Sequence, residues 1–156
     1  MFCWRIAKKK YKDTAFDGEG SRRKGGRWTP RGVPAVYTAQ TESLAALEQF
    51  VQLGDEGQNI HFVCFKIEIP DEVRIGEIDI SSLPENWRET PAPEALKTYG
   101  AEWLLQGQTA VLKVPSALIP SECNFILNPL HPAFQRIIIG VPEKFSYDPR
   151  MWKEET

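Results

Sequence analysis

The sequence predicts an α+β domain, and three observations carry that expectation. Short apolar runs with strand character outnumber the helical stretches, the two kinds do not alternate along the chain, and the length suits one hydrophobic core. With 42% hydrophobic and 11% aromatic residues, positions 1–156 are expected to form a single domain. Pairing should be mostly antiparallel, because the regular strand–helix alternation of a parallel sheet is absent. There are no internal repeats and no low-complexity segments.

Phe2 to Ile6 reads as an opening strand. From Tyr11 to Gly32 the chain is polar and glycine-rich, without helical or strand periodicity. Loops longer than about 12–15 residues usually carry function, so a ligand is expected here. Val33 to Ala39 has strand character, with Pro34 at a strand start and Tyr37 projecting from it. Thr41 is an expected N-cap and Glu42 suits the positive end of a helix running to about Leu53, before Gly54. Leu44, Leu47 and Val51 should form its buried stripe, with Glu48 near the edge. A carboxylate in that position must reach solvent or be buried with a partner.

Between His61 and Ile69 the residues Val63, Phe65, Ile67 and Ile69 share one face, which makes this the clearest strand. Val73 to Ile80 is a further extended stretch, interrupted by Gly76. Ser81 to Pro93 is turn-rich, and Trp87 is expected to pin it to the core. A helix follows from Pro93 or Glu94 to Leu105, with the proline in its first turn. Ala110 to Val114, Asn124 to Leu127 and Phe134 to Ile139 complete the series of short strands.

Composition limits the function classes. A net charge of −2 and a pI near 5.8 argue against sequence-independent nucleic-acid binding, which needs many phosphate contacts. Cations nonetheless concentrate between Lys8 and Arg31, where Lys8 to Lys12 reads as a solvated edge. Cys3, Cys64 and Cys123 are odd in number and far apart, and His61 and His131 have no second ligand at helical spacing. Neither a disulfide framework nor a metal site is expected. No apolar run is long enough to cross a membrane, and a cytoplasmic location is expected.

The run Gly25-Gly26-Arg27-Trp28-Thr29-Pro30-Arg31-Gly32 combines backbone freedom with two guanidinium groups, a combination able to wrap an anion. Tyr37 lies ten positions after Arg27, and Glu48 eleven after Tyr37. Together with Ser116 they supply the parts for cleaving an N-glycosidic bond to a cationic leaving group such as nicotinamide. Arginine grips a pyrophosphate, tyrosine stacks on a ring, and glutamate stabilises the oxocarbenium-like transition state. Each residue also has an ordinary reading: Arg27 paired with Asp17 or Glu19, Tyr37 in the core, Glu48 solvated, and Ser116 as turn chemistry. Asn124 and Asn128 bracket an apolar strand and suit either ligand contact or turn satisfaction, and His131 sits among prolines without a nucleophile. Ser116 lacks the G-x-S-x-G context of a serine hydrolase.

These segments, in this order and spacing, resemble the RES family of bacterial toxins, named for an arginine, a glutamate and a serine. Arg27, Glu48 and Ser116 match those three residues and Tyr37 a further active-site position; Val114-Pro115-Ser116 and Asn124 through His131 extend the likeness. The resemblance implies an ADP-ribosyltransferase-like fold and NAD+ as a consumed substrate rather than a recycled cofactor. It implies a toxin of a type II toxin–antitoxin pair that degrades NAD+ by hydrolysis or phosphorolysis, or else ADP-ribosylates a protein. The implied partner is an Xre-class helix-turn-helix antitoxin, in an oligomeric complex. Arg27 would bind the NAD+ phosphates with Arg31 as helper, Tyr37 would pack on nicotinamide or its ribose, and Glu48 would stabilise the ribosyl cation. Ser116 would bond ligand or position a catalytic group, and Asn124 would contact ligand. Thr29 stands where the family pattern suggests asparagine. The rival expectation is a non-catalytic anion- or nucleic-acid-binding module built on Arg22 to Arg31.

Overall fold

A computed structural model describes residues 1–153. Its strands are β1 (Phe2–Lys8), β2 (Val36–Ala39), β3 (Phe62–Glu68), β4 (Ile75–Glu77), β5 (Val111–Pro115), β6 (Cys123–Leu127), β7 (Ile138–Ile139) and β8 (Glu143–Phe145). The α-helices are α1 (Glu19–Lys24), α2 (Glu42–Phe50) and α3 (Glu94–Gln106). One sheet runs β4-β5-β6-β2-β1-β3-β7, with β8 also on β3. Every pairing is antiparallel except β4 with β5, as a chain without regular strand–helix alternation should give.

The two faces of the sheet are used differently. On one, Cys3, Ala7, Val36, Val63, Phe65, Ile67, Val111, Phe125 and Leu127 form a continuous core. On the other the apolar material splits in two. Helix α3 and Trp28 cover Leu112, Val114 and Ile126, while α2 covers Ile6, Ala39, Phe62 and Cys64. The division follows the sheet itself, because β1 and β2 meet through a single registered pair, Trp4 opposite Ala39, whereas β1 and β3 are paired from Phe2–Glu68 to Lys8–Phe62.

Helix α2 starts as expected: Thr41 Oγ1 accepts from the Leu44 amide at 3.1 Å and donates to Glu122 at 3.2 Å, fixing the helix to the β5–β6 connection. Its buried face differs from the expected stripe. Leu44 and Ala45 are inside, but Leu47 is 36% and Val51 58% exposed, and the helix ends at Phe50 rather than near Leu53. The inward row is 44, 45 and 48, so the helix is rolled to turn Glu48 toward the sheet. Phe50 packs instead on Tyr147 and Trp152, with ring centroids 5.4 and 4.9 Å away.

Other boundaries also shift. Residues 11–32, expected to lack periodic structure, contain α1 and a 3-10 turn at Lys9–Thr14. Six residues are too few to display a helical period, and α1 is set by local charge: Asp17 accepts from the Glu19 amide, while Glu19 pairs with Arg22 and Arg23. Strand β2 begins at Val36, beyond Pro34, and the stretch Val73 to Ile80 yields only β4. Phe134–Ile139 is not a continuous strand. Pro132 opens a 3-10 turn over Pro132–Arg136, capped by His131 Nδ1 on the Ala133 amide, and only Ile138–Ile139 pairs. β8 was not anticipated.

Candidate active site

The expected site residues gather where the two halves of the second face meet. β2 carries Tyr37 and β6 carries Asn124 on that face, α2 brings Glu48 from one side, and the Gly25–Gly32 loop brings Arg27 from the other. Ser116 follows β5 and is fully buried.

Glu48 is half-buried, and its Oε1 accepts from Asn124 Nδ2 at 2.6 Å and from Ser116 Oγ at 3.0 Å. Ser116 Oγ itself accepts from the Leu118 and Ile119 amides, each at 3.1 Å. With both lone pairs engaged, its only proton goes to the glutamate, so Ser116 is a bridge and not a free nucleophile. Ser116 thus makes the turn contacts of its ordinary reading and also holds the Glu48 carboxylate.

Arg27 is anchored by one nitrogen. Nη1 donates to the Trp87 and Glu89 carbonyls at 3.0 and 2.9 Å, while Nη2 reaches Thr90 Oγ1 at only 3.4 Å. The Nε–Nη2 edge, which grips oxyanions in parallel, is therefore little used by the protein. Pairing with Asp17 or Glu19 does not occur. Burial lowers the Arg27 pKa, opposed by the charge of Glu48 and by Tyr37. Trp87 pins the turn-rich segment as expected, 7% exposed and with its ring centroid 6.4 Å from that of Trp28.

Tyr37 lies beneath the Arg27 loop. Its hydroxyl accepts from the Trp28 amide at 3.2 Å and shares a hydrogen bond with Thr29 Oγ1 at 2.9 Å. A Cβ on Gly26 would fall 2.5 Å from the phenol oxygen, so only glycine lets the loop lie this close. Burial pushes the phenol up to about 12, which keeps it a neutral hydrogen-bonding group. Thr29, fully buried, links Tyr37 to Ser21 at 3.1 Å, so the residue that departs from the family pattern braces the loop from inside. Arg31 is exposed and makes no side-chain hydrogen bond among the described residues.

Two contributors were missed in the sequence. Arg5 Nη1 donates to the Tyr37 carbonyl at 2.7 Å across the β1–β2 seam, and its buried Nε has no partner among the described residues. Burial pushes this guanidinium down to about 10, against the influence of Asp17, and it stays charged at neutral pH. Its signal was a lone charge at an inward position of β1, in line with Cys3 and Ala7. Gly100 on α3 is the second: a Cβ there would collide with the Trp28 carbonyl, so α3 presses directly on the loop. Asn128 and His131 serve structure: Asn128 Oδ1 accepts from the Leu130 amide, and both ring nitrogens of His131 are engaged, by the Ala133 amide and the Gly107 carbonyl. Concavities of about 430 and 740 Å³ lie elsewhere, the first beside Lys9, Lys12 and Lys144, and neither includes Arg27 or Glu48. Among the described residues no cluster of histidine, cysteine and carboxylates could hold a metal ion.

The family model described as RES domain matches residues 2–148. The chain belongs to the RES domain family. This RES domain is 39% identical over 152 residues to Toxin Res of Yersinia enterocolitica, covering 97% of the chain and 99% of the relative. It is 37% identical to the Prs ADP-ribosylating toxin of a Sphingobium species, over 95% and 94% of the two chains. Its fold is similar to a chain of the M. tuberculosis MbcT-MbcA toxin–antitoxin complex, with a TM-score of 0.76 at 16% identity, covering 93% of this chain and 84% of that one. The RES domain thus has the α+β fold expected from the sequence, and it brings Arg27, Glu48, Ser116, Tyr37 and Asn124 into one neighbourhood while leaving Arg31 at its rim.

Proposed function

We propose that this RES domain is the toxin of a toxin–antitoxin pair and an enzyme that breaks the nicotinamide–ribose bond of NAD+. The observation that carries the reading is the held carboxylate of Glu48 beside an arginine fork whose gripping edge is little used. Relatives at 37–39% identity carry the names Toxin Res and Prs ADP-ribosylating toxin, and transfer of ADP-ribose consumes NAD+.

In this reading Arg27 grips the pyrophosphate with Arg31 as helper, and Arg5 braces the Tyr37 backbone from the opposite face. The bond from C1′ of ribose to the nicotinamide nitrogen breaks, its electron pair leaves with nicotinamide, and the ring becomes neutral. The positive charge passes to the ribosyl centre, where Glu48 stabilises it. Tyr37 holds the loop under the nicotinamide ribose, and Ser116 holds Glu48. A nucleophile then bonds to C1′ and gives up its proton: water yields ADP-ribose, phosphate its 1″-phosphate, and a protein side chain an ADP-ribosylated protein. The Sphingobium relative's name favours keeping the protein acceptor as the second reading.

The partner is an antitoxin, of Xre class, that covers this site in an oligomeric complex. No helix among the described residues is long and apolar enough to cross a membrane, and we place the toxin in the cytoplasm. A purely anion-binding role for the Arg22–Arg31 loop is less well supported, since Arg22 and Arg23 are spent on Glu19. The test is mass analysis of products after incubation with NAD+, with and without phosphate and with cell lysate as acceptor. Free nicotinamide is expected, lost in Glu48→Ala with the fold intact. Absence of turnover under all three conditions rejects the enzyme.

A further inference from the structure

The two oxygens of Glu48 are not equivalent. Oε1 takes both donors, from Asn124 and Ser116, whereas Oε2 takes none among the described residues and is not among their sealed, unpartnered polar atoms. A carboxylate oxygen that has accepted two hydrogen bonds has little left to offer a third group. The outward oxygen keeps its lone pairs.

Asn124 accepts a cost to maintain this arrangement. It is 8% exposed, and while its Nδ2 meets Glu48 at 2.6 Å, its Oδ1 is buried with no partner among the described residues. Turning the amide over would set a carbonyl oxygen against the carboxylate, so the hydrogen-bond chemistry fixes the amide with its acceptor orphaned. Buried polar atoms are nearly always satisfied, and an orphan one residue from a candidate catalytic group needs a reason.

We infer that Asn124 is a positioning residue, acting through Glu48 rather than on substrate: its amide and the Ser116 hydroxyl clamp Oε1 so that Oε2 is the oxygen presented to the reacting ribose. Ser116 alone would leave the carboxylate free to rotate about that one bond. The second donor removes the rotation. The name-giving trio of arginine, glutamate and serine is thus completed by a fourth side chain from the centre of the sheet. The inference rests on Glu48 acting as proposed above, but the geometry can be tested apart from turnover.

Two measurements on the full chain decide it. The first compares NAD+ cleavage in Asn124→Ala and Asn124→Asp. A hydrogen bond to a charged group predicts that Asn124→Ala lowers kcat about tenfold to a hundredfold with KM little changed. Asn124→Asp keeps the shape but replaces the donor with an acceptor, so it should be the more damaging of the two. If Asn124 only fills space the order reverses, and that result overturns the inference. The second uses no substrate and no substitution of Asn124. In a 15N–1H NMR spectrum one Asn124 side-chain proton should lie well downfield and move upfield in Glu48→Gln. A native chain that shows this shift but leaves NAD+ intact would reject the enzyme and keep the clamp. An Asn124 amide that ignores Glu48→Gln rejects the clamp, whatever the enzyme does.

Discussion

At the scale of single residues, Ser116 shows how one short polar side chain can close a turn and hold a carboxylate at once. It closes the turn after β5 by accepting from two amides, and it spends its proton on Glu48. Ser116→Ala should therefore lose more than a contact. Two amides lose their acceptor and Glu48 loses a donor, a change worth roughly 1–3 kcal/mol of stability on the usual penalty for unsatisfied buried groups. Denaturant titration should show that loss, and kcat for NAD+ should fall with it. Normal stability with normal turnover would mean that the turn re-forms without the hydroxyl. Arg27, Glu48 and Ser116 were legible in the sequence only in combination, since each alone has an ordinary reading and it is their order and spacing that resemble the RES family. The work of Asn124 was not legible as such, since nothing in the linear order says that Glu48 of α2 reaches across to β6.

At the scale of elements, the same distinction between local and distant causes explains what could be read. β1, β3, α2 and α3 announce themselves through their own periodicity and caps, and all four are present close to their expected limits. Strands β7 and β8 depend on neighbours, since they exist only by pairing with β3. The roll of α2 belongs to this second group. Leu47 and Val51 look like core in a helical wheel, but α2 is turned so that Glu48 meets the donors of Ser116 and Asn124 while the two aliphatic chains stay at the helix edge. Helix α3 is tied to function by Gly100. Gly100→Ala would ordinarily favour a helix by about 0.5–1 kcal/mol. Here the added methyl meets the Trp28 carbonyl, so the loop bearing Arg27 must move. NAD+ turnover should drop at least several-fold while the far-ultraviolet circular dichroism stays native; unchanged turnover would show that loop and helix are not in register contact.

At the scale of the whole molecule, burial has placed several acids where they must stay neutral. Burial pushes Cys3 from 9.0 up to about 11, only partly offset by Thr38 and the N-terminal ammonium, and pushes Cys64 up to about 12, reinforced by Glu42. Tyr37 rises from 10.0 to about 12 for the same reason. These groups hold their protons longer in the native chain than in the unfolded one, so between pH 9 and 12 the native state binds more protons. Their contribution is whole below pH 9 and is lost as pH rises through that window. Thermal melts in reducing buffer from pH 8 to 11 should show Tm falling above pH 9, and a flat profile to pH 11 would contradict the burial of these groups.

The single pair between β1 and β2 has a mechanical meaning for the carboxylate above it. Ser116 and Asn124 belong to the half of the sheet that carries β5 and β6, whereas Glu48 rides on α2 over the half that carries β1 and β3. The bonds to Oε1 cross that division, and so does the Arg5 bond to Tyr37. In the proposed reaction Glu48 is thus a rivet as well as a reagent: the carboxylate assigned to the chemistry is held by the same bonds that fasten two plates of the sheet together. Catalytic alignment and the setting of the plates then cannot be tuned independently.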